Sequence, residues 1–302
     1  MSDTTDSVTT VWPACKEGAA SQTLSFVHVN DLHASYTMNP YEPDATSPWA
    51  HLRGYFEAVR AENPYTLFTN GGDDHEKGSV VEQLSGGDST VAATRAMGFD
   101  VRVIGNHDFA YSREEFLRYT QDPRALVLAS NTSFSGADKS LFGAKDFGIL
   151  KVGCVTVGFF GLTSEPWNEL DQSYLGDFYP DSDLHTRHDY AVRAKELVTI
   201  LRPQVDLVVL VSHLGYSGDQ ELAAQVPGID VILGGHSHTR LNEVKKVGDT
   251  LIIQAGSEGL FAARLDLTVD LASRAITGSR YALKMNIAKS LPVSQDTNEA
   301  IA

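Results

Sequence analysis

Cysteine is scarce in this chain of 302 residues: Cys15 and Cys154 are the only two. That number predicts no disulfide framework and excludes a zinc site built on thiolates. No apolar run approaches the roughly 20 residues that a membrane-spanning helix needs. The opening stretch, MSDTTDSVTTVWPACKEGAASQT, lacks a basic segment followed by an apolar one, so it does not read as a signal peptide. On that ground the compartment is unknown and cytoplasmic by default. Basic residues are also in short supply, with 24 Lys+Arg against 39 Asp+Glu and a formal net charge of −15. A phosphate polymer is gripped through many cationic contacts, so this balance argues against a nucleic-acid polymer as partner. One small phosphate ester is still admissible, because a bound metal can neutralise it. Neither a strand–GxxxxGK–helix loop nor a serine nucleophile elbow occurs. Nothing in the sequence indicates an oligomeric state.

What is present is an ordinary globular composition, 42% hydrophobic and 21% charged. Residues 1–22 are rich in Ser, Thr and small polar groups and read as a poorly ordered leader. Strand patterns follow at LSFVHV, YTLFTN, DVRVI, ALVLAS, VGCVTVGFFGL, VDLVVLVSH, GIDVILGG, TLIIQAG and ARLDLTVD. Helical spacing marks WAHLRGYFEAVRAEN, STVAATRAM with Gly98 as its stop, SREEFLRY with Ser112 and Glu115 as a capping box, and DYAVRAKELVTIL ahead of Pro203. Strands alternating with helices predict an α/β fold, and the late run of strands predicts mixed sheets. No internal repeat or interior domain boundary is evident. Residues 286–302 read as a linker-like tail.

The informative residues stand where strands stop. FVHV is followed by Asn30, Asp31 and His33, and LFTN by Gly71, Gly72, Asp73 and Asp74. VRVI is followed by Gly105, Asn106, His107 and Asp108, and LVVLVS by His213. VIL is followed by Gly234, Gly235, His236, Ser237 and His238. Ligand sites of α/β folds lie outside the carboxyl ends of strands. Imidazole, carboxylate and amide groups suit divalent ions such as zinc, manganese or iron. Four histidines, two aspartates and an asparagine exceed what one tetrahedral ion needs. Two ions sharing a carboxylate would use them all, and ions about 4 Å apart serve phosphoester hydrolysis. Taken alone, His236 and His238 point the same way in an extended segment, which suggests one shared ion.

In order and spacing, HVNDLHA, GGDDHEKGS, GNHDF, VSHLGYSGDQELA and GIDVILGGHSHT resemble the calcineurin-like metallophosphoesterases. Within them, the chain is similar to the catalytic domain of the bacterial 5′-nucleotidase and UDP-sugar hydrolase family, over roughly residues 23–285. The resemblance implies a four-layer α/β/β/α sandwich with two mixed sheets. It implies two divalent metal ions (Zn, Mn, Fe, Mg or similar), the first held by Asp31, His33, Asp73 and His238. The second is held by Asp73, Asn106, His213 and His236, which divides the two histidines of GGHSHT between the ions. His107 would stand by the leaving group. The implied substrate is a small phosphoester, most simply a nucleotide, and such relatives lie in the periplasm or outside the cell. The alternatives are a phosphodiesterase acting on cyclic nucleotides or nucleotide sugars, and a non-catalytic metal-binding domain that needs a partner domain.

The chain departs from the family pattern in three places. Two aspartates stand where one is usual. Counting back from Gly78 selects Asp74 as the bridge, whereas counting forward from the strand selects Asp73, the preferred choice because the strand sets the turn. Ala110 occupies the position of the aspartate usually found beyond the catalytic histidine. Asp108 is therefore expected to orient His107, or else a carboxylate from elsewhere such as Asp74. Ala34 replaces a usual glycine. The family's second domain supplies nucleoside-binding aromatics, and this chain stops at the linker. Outside the motifs, His28 reads as buried and hydrogen-bonded, and His75 as surface or near the site. His51, His185 and His188 read as solvent-facing, and Tyr36, Tyr41 and the stretch EPWNELDQSYLGDFYP as candidate rim residues.

Overall fold

A computed structural model describes residues 12–37, 46–76, 79–134, 143–164, 184–286 and 291–301. In chain order its elements are β1 (Ser21–Val29), α1 (Pro48–Glu62), β2 (Thr66–Asn70), α2 (Val80–Ser85), α3 (Asp88–Met97), β3 (Val101–Val103), α4 (Arg113–Thr120), β4 (Leu126–Leu128), β5 (Thr132–Phe134), β6 (Phe147–Val152) and β7 (Val155–Thr163). They continue with β8 (Leu184–Thr186), α5 (Tyr190–Leu201), β9 (Leu207–His213), α6 (Tyr216–Gln225), β10 (Val231–Gly234), β11 (Lys245–Val247), β12 (Thr250–Gln254), β13 (Phe261–Asp270), β14 (Ile276–Met285) and α7 (Gln295–Ile301).

Two six-stranded sheets carry the fold, ordered β14-β13-β1-β2-β3-β4 and β11-β12-β10-β9-β7-β6. Both are mixed. In the first, β1 to β4 run parallel while β13 is antiparallel to β1 and β14. In the second, β7, β9, β10 and β12 run parallel, with β6 and β11 antiparallel at the edges. The period-2 alternation of strands explains the layering. Leu24 and Phe26 of β1 face Phe159, Val209, Val211 and Leu233 of the other sheet in one core. Val27 and Val29 of β1 face outward onto Leu52, Phe56 and Val59 of α1 and Met97 of α3. Likewise Val208 and Leu210 of β9 face Leu197 and Leu201 of α5 and Leu222 of α6. Strands buried on both faces are why β9 and β10 read as continuous apolar runs. The result is the expected four-layer α/β/β/α sandwich, in which each fully buried Leu or Phe contributes about 1.5–3 kcal/mol.

Several sequence expectations are corrected. The two cysteines pair, joining Cys15 to Cys154 in the β6–β7 turn. Part of the stretch expected as a poorly ordered leader is therefore tied down. Trp12 donates its indole N–H to the Thr66 carbonyl at 3.0 Å, and the Gln22 amide bridges Val152 O and Cys154 N at 2.7 Å each. The stretch expected as a linker-like tail carries α7, with Thr297 reaching Ala96 O and Asn298 accepting from Ser47 N. His51 is buried and bonded to Thr46 and Leu291 O rather than facing solvent. Tyr36 is a core residue, edge-on to Trp49 with its hydroxyl on Ser89, and not a rim residue. His188 is exposed, as expected. Tyr41, the side chain of His185 and residues 165–180 lie outside the described residues. Among the described residues, no helix is long and apolar enough to cross a membrane.

Candidate metal centre

The carboxyl ends of β1, β2 and β3 in one sheet and of β9 and β10 in the other open on the same edge. There the two sheets touch through glycine. A Cβ on Gly235 would lie 2.5 Å from Gly71 O across the sheets, and within the first sheet one on Gly105 would lie 2.1 Å from an Asp73 carboxylate oxygen. No larger residue fits either position without displacing backbone or the site itself. His28, buried as expected, fills the seam between sheets, bonded to Thr69 and to Gly234 O. Burial lowers its pKa to about 4, so it stays neutral.

The turns after β1 and β2 are laced together. Asp31 N, His33 N and Ala34 N donate to the carbonyls of Gly72, Asp73 and Asp74 at 2.8, 3.0 and 2.7 Å. This lacing holds the backbone in an uncommon state. Asp31, His33, Asp73, His236 and His238 all have positive φ, at 53°, 45°, 59°, 73° and 52°. Such conformations cost about 1–3 kcal/mol each and persist only when the surroundings over-determine them. The GGHSHT loop is held by Gln254, whose amide takes Gly235 O at 2.7 Å and whose carbonyl accepts from Ser237 and Thr239 N. Five of the seven side chains that converge belong to these strained residues.

They converge in two groups, Asp31–His33–His238 and Asp73–His213–His236, each with candidate ligand atoms within 4.8 Å of one another. In the first, His33 Nε2 lies 3.0 Å from His238 Nε2, and His238 Nε2 lies 3.3 Å from Asp31 Oδ1. In the second, His213 Nε2 lies 3.0 Å from Asp73 Oδ2 and 3.1 Å from Asn106 Oδ1. Asn106 Oδ1 is also 2.9 Å from His236 Nδ1. All seven candidate ligands thus come together, with His236 and His238 in different groups.

Hydrogen-bond arithmetic shows what these groups require. His213 Nδ1 meets Gly71 O at 2.6 Å, and a carbonyl only accepts, so Nδ1 carries the proton. Its Nε2 then faces two oxygens, those of Asp73 and Asn106, so that nitrogen must carry either a proton or a cation. His33 Nδ1 likewise donates to the carbonyls of His75 and Glu76, at 3.1 and 3.0 Å, leaving its Nε2 lone pair toward His238 and Asp31. Electron-rich atoms converging on a point call for a cation or a proton, and imidazole, carboxylate and amide donors fit a divalent ion. The electrostatics are consistent. Burial works against charge on His213, but the Asp73 carboxylate overrides it and lifts the pKa to about 10. Burial would raise Asp73, yet His213 pulls it well below the usual carboxylate range. Burial and the charge of His213 push His236 down to about 4. Burial lowers His33 against the pull of Asp73 and Asp31, so the Asp73 charge is felt in both groups.

The neighbouring carboxylates do other work. Asp74 turns away from the groups onto Asn70, Tyr119 and Thr94. Asp108, expected to orient His107, does not. It is fully buried and accepts from the backbone N–H of Asp73, Asp74, His75 and Gly105, and from His75 Nδ1 at 2.9 Å. His75, expected at the surface or near the site, is buried between Asp108 and Glu115. His107 sits at the rim with its ring centroid 5.1 Å from that of His33, its backbone N–H on Asp73 and its Nδ1 against the Glu76 carboxylate. Sequence reasoning missed Glu76. The only available signal was its place in the GGDDHEKGS turn.

The sequence pattern of the calcineurin-like phosphoesterase family matches residues 24–240. An uncharacterised metallophosphoesterase, YunD, of Bacillus subtilis is 27% identical, covering 91% of this chain and 56% of its own length. The 5′-nucleotidase of Bos taurus is 24% identical over 76% of this chain and 40% of its own. Among solved structures, a 5′-nucleotidase precursor from Thermus thermophilus superposes with a TM-score of 0.78 at 24% identity, covering 93% of this chain and 58% of that one. That likeness shows the same sandwich fold. The chain spans about half the length of these relatives.

Proposed function

The chain belongs to the calcineurin-like phosphoesterase family, and on that premise we propose that it hydrolyses a phosphoester at a two-metal centre, its substrate a nucleotide or related phosphomonoester. The observation that carries this reading is the pair of converging acceptor groups at the strand ends. Asp31, His33 and His238, with Asp73, would hold one ion, and Asp73, Asn106, His213 and His236 would hold the other. When bound, two such ions supply Lewis acidity and lower the pKa of a water molecule. The chain's own residues do the rest. Asp73, at the shared edge of the groups, sets their spacing. The carbonyls of Gly71, His75 and Glu76 fix the imidazole tautomers, so that Nε2 of His213 and His33 face inward. His107 stands beside the first group, where it can give a proton to the departing oxygen.

Named relatives support the nucleotide class: one is a 5′-nucleotidase, and another is named a trifunctional nucleotide phosphoesterase, YfkN of Bacillus subtilis. The Cys15–Cys154 bond supports residence in an oxidising compartment, since disulfides persist there and are rare in the cytosol. The test is a substrate panel on protein loaded with manganese or zinc, with metal analysis alongside. Nucleoside monophosphates and p-nitrophenyl phosphate should turn over with close to two ions per chain. Two ions with no phosphoester cleaved would sink the enzymatic reading, and one ion at full activity would sink the dinuclear one.

A further inference from the structure

We propose that Glu76 is the positioning residue for His107, replacing the aspartate that this chain lacks at Ala110. This inference rests on the phosphoester reading above. Glu76 places a carboxylate on the His107 ring: Nδ1 of His107 contacts Oε2 of Glu76. A carboxylate only accepts, so Nδ1 donates. The other acidic neighbours are committed. Asp108 takes four backbone N–H groups and His75, and Asp74 takes Asn70, Tyr119 and Thr94.

Glu76 is itself held from three sides. Its φ is +64°, a left-handed conformation that is costly for a residue with a side chain. Its N–H donates to Glu82 Oε1 at 2.9 Å, and its carbonyl takes the Nδ1 proton of His33 at 3.0 Å. One residue thus orients two histidines, His33 through its backbone and His107 through its side chain. A carboxylate on Nδ1 holds an imidazole in one orientation and turns Nε2 to the far side. With Nδ1 so engaged, the imidazolium gives its Nε2 proton to the leaving oxygen as the oxygen of a water molecule, losing its own proton to solvent, bonds to phosphorus and the P–O bond breaks. The bonding pair departs with that oxygen, and the ring keeps its Nδ1 proton on Glu76.

The experiment compares Glu76→Gln, Glu76→Asp and wild type on p-nitrophenyl phosphate and phenyl phosphate. The phenolate leaves less readily and needs the proton more. For Glu76→Gln we expect kcat on phenyl phosphate to fall about 100-fold, the lower range for general-acid loss. We expect a fall of less than about tenfold on the nitrophenyl ester, with KM little changed in both cases. Glu76→Asp should recover part of the loss, and metal content should match wild type in both variants. Independently of turnover, nitrogen NMR of metal-free protein should show a protonated Nδ1 on His107 in wild type, with its signal displaced in Glu76→Gln, where an amide replaces the charged acceptor, and His107→Asn identifying the resonance. Equal losses on the two esters, loss of metal, or an unchanged Nδ1 signal would each overturn the proposal. A wild type inert on both esters but with the expected change in the Nδ1 signal would instead defeat the phosphoester reading.

Discussion

Two clusters in this molecule use the same residue types, lie side by side and do opposite things. One is the pair of converging groups around His33 and His213. The other is the buried set of His75, Asp108 and Glu115. In the second, both ring nitrogens of His75 face a carboxylate at 2.9 Å, and Asp108 collects five N–H donors. Burial disfavours charge on His75, but Glu115 and Asp108 raise its pKa well above the ordinary value, so a cationic ring sits between two carboxylates. In the first, acceptor atoms outnumber donors: Nε2 of His213 faces oxygens of both Asp73 and Asn106, and Nε2 of His33 faces His238 and Asp31. Residue type and burial do not separate a metal site from a scaffold. The balance of donors against acceptors does. The boundary runs between Asp73 and Asp74, adjacent aspartates with opposite duties.

The sharpest way to break this contrast is to neutralise each aspartate in turn. Asp73→Asn should lower kcat/KM on the order of a thousandfold and reduce bound metal, because several kcal/mol of transition-state stabilisation pass through those groups. Asp74→Asn should keep the full metal complement, as measured by metal analysis. A larger loss of metal at Asp74 would reverse the assignment. Next in size is His75→Ala, which leaves two buried carboxylates without their cation. Chemical denaturation should show a loss of about 3–5 kcal/mol while the folded fraction still takes up metal; metal lost from that fraction would make His75 part of the site.

Asp219 offers an intermediate case. Its Oδ1 accepts from Ser212, and its Oδ2 has no hydrogen-bond partner among the described residues. Burial raises its pKa from 3.8 to about 7. The folded state therefore binds this proton more tightly than the unfolded chain. Its contribution to stability is full below about pH 4 and is lost as the pH rises through about 7. Asp219→Asn should match wild type in thermal unfolding near pH 4 and exceed it near pH 8, to which it brings no buried charge. A difference independent of pH would show that Asp219 is ionised throughout. The smallest effect is expected at Ala34, whose φ is +50°. Ala34→Gly relieves that strain but loosens the unfolded chain, so a net gain of at most about 1 kcal/mol is expected by denaturant titration. A clear loss would mean that the methyl group, buried among Val29, Leu32 and Trp49, contributes more than the strain costs.

Much of the site could be read before any fold was known, because its chemistry is concentrated where strands end. The seven candidate ligands lie at five strand termini, and the periodicity of β1, β2, β3, β9 and β10 predicts those termini within a few residues. The capping of α4 was legible too: Ser112 does accept from Glu115 N. The second half of that box was not, since the Glu115 carboxylate reaches His75 instead of the helix start. Asp108 was assigned to His107 by adjacency, but the short helical turn after Asn106 points it back into the β2 turn. The disulfide was missed because 139 residues separate its cysteines, and only the stacking of one sheet on the other brings them together.

The sequence by itself determined the alternation of strands and helices and the inventory of candidate ligands, because periodicity and residue type are local properties that survive in any correct fold; the four layers were implied by the family resemblance. Which side chain meets which was decided by the tertiary structure. A left-handed φ at Asp31, His33, Asp73, Glu76, His236 and His238 rotates each Cβ to a direction that neither helical nor extended periodicity anticipates. That rotation is sustained by hydrogen bonds from distant parts of the chain: between the turns after β1 and β2, from His236 N across to the Asp31 carboxylate of the other sheet, and from Glu76 N to Glu82. The division of His236 from His238, the separation of Asp73 from Asp74 and the approach of Glu76 to His107 all follow from it.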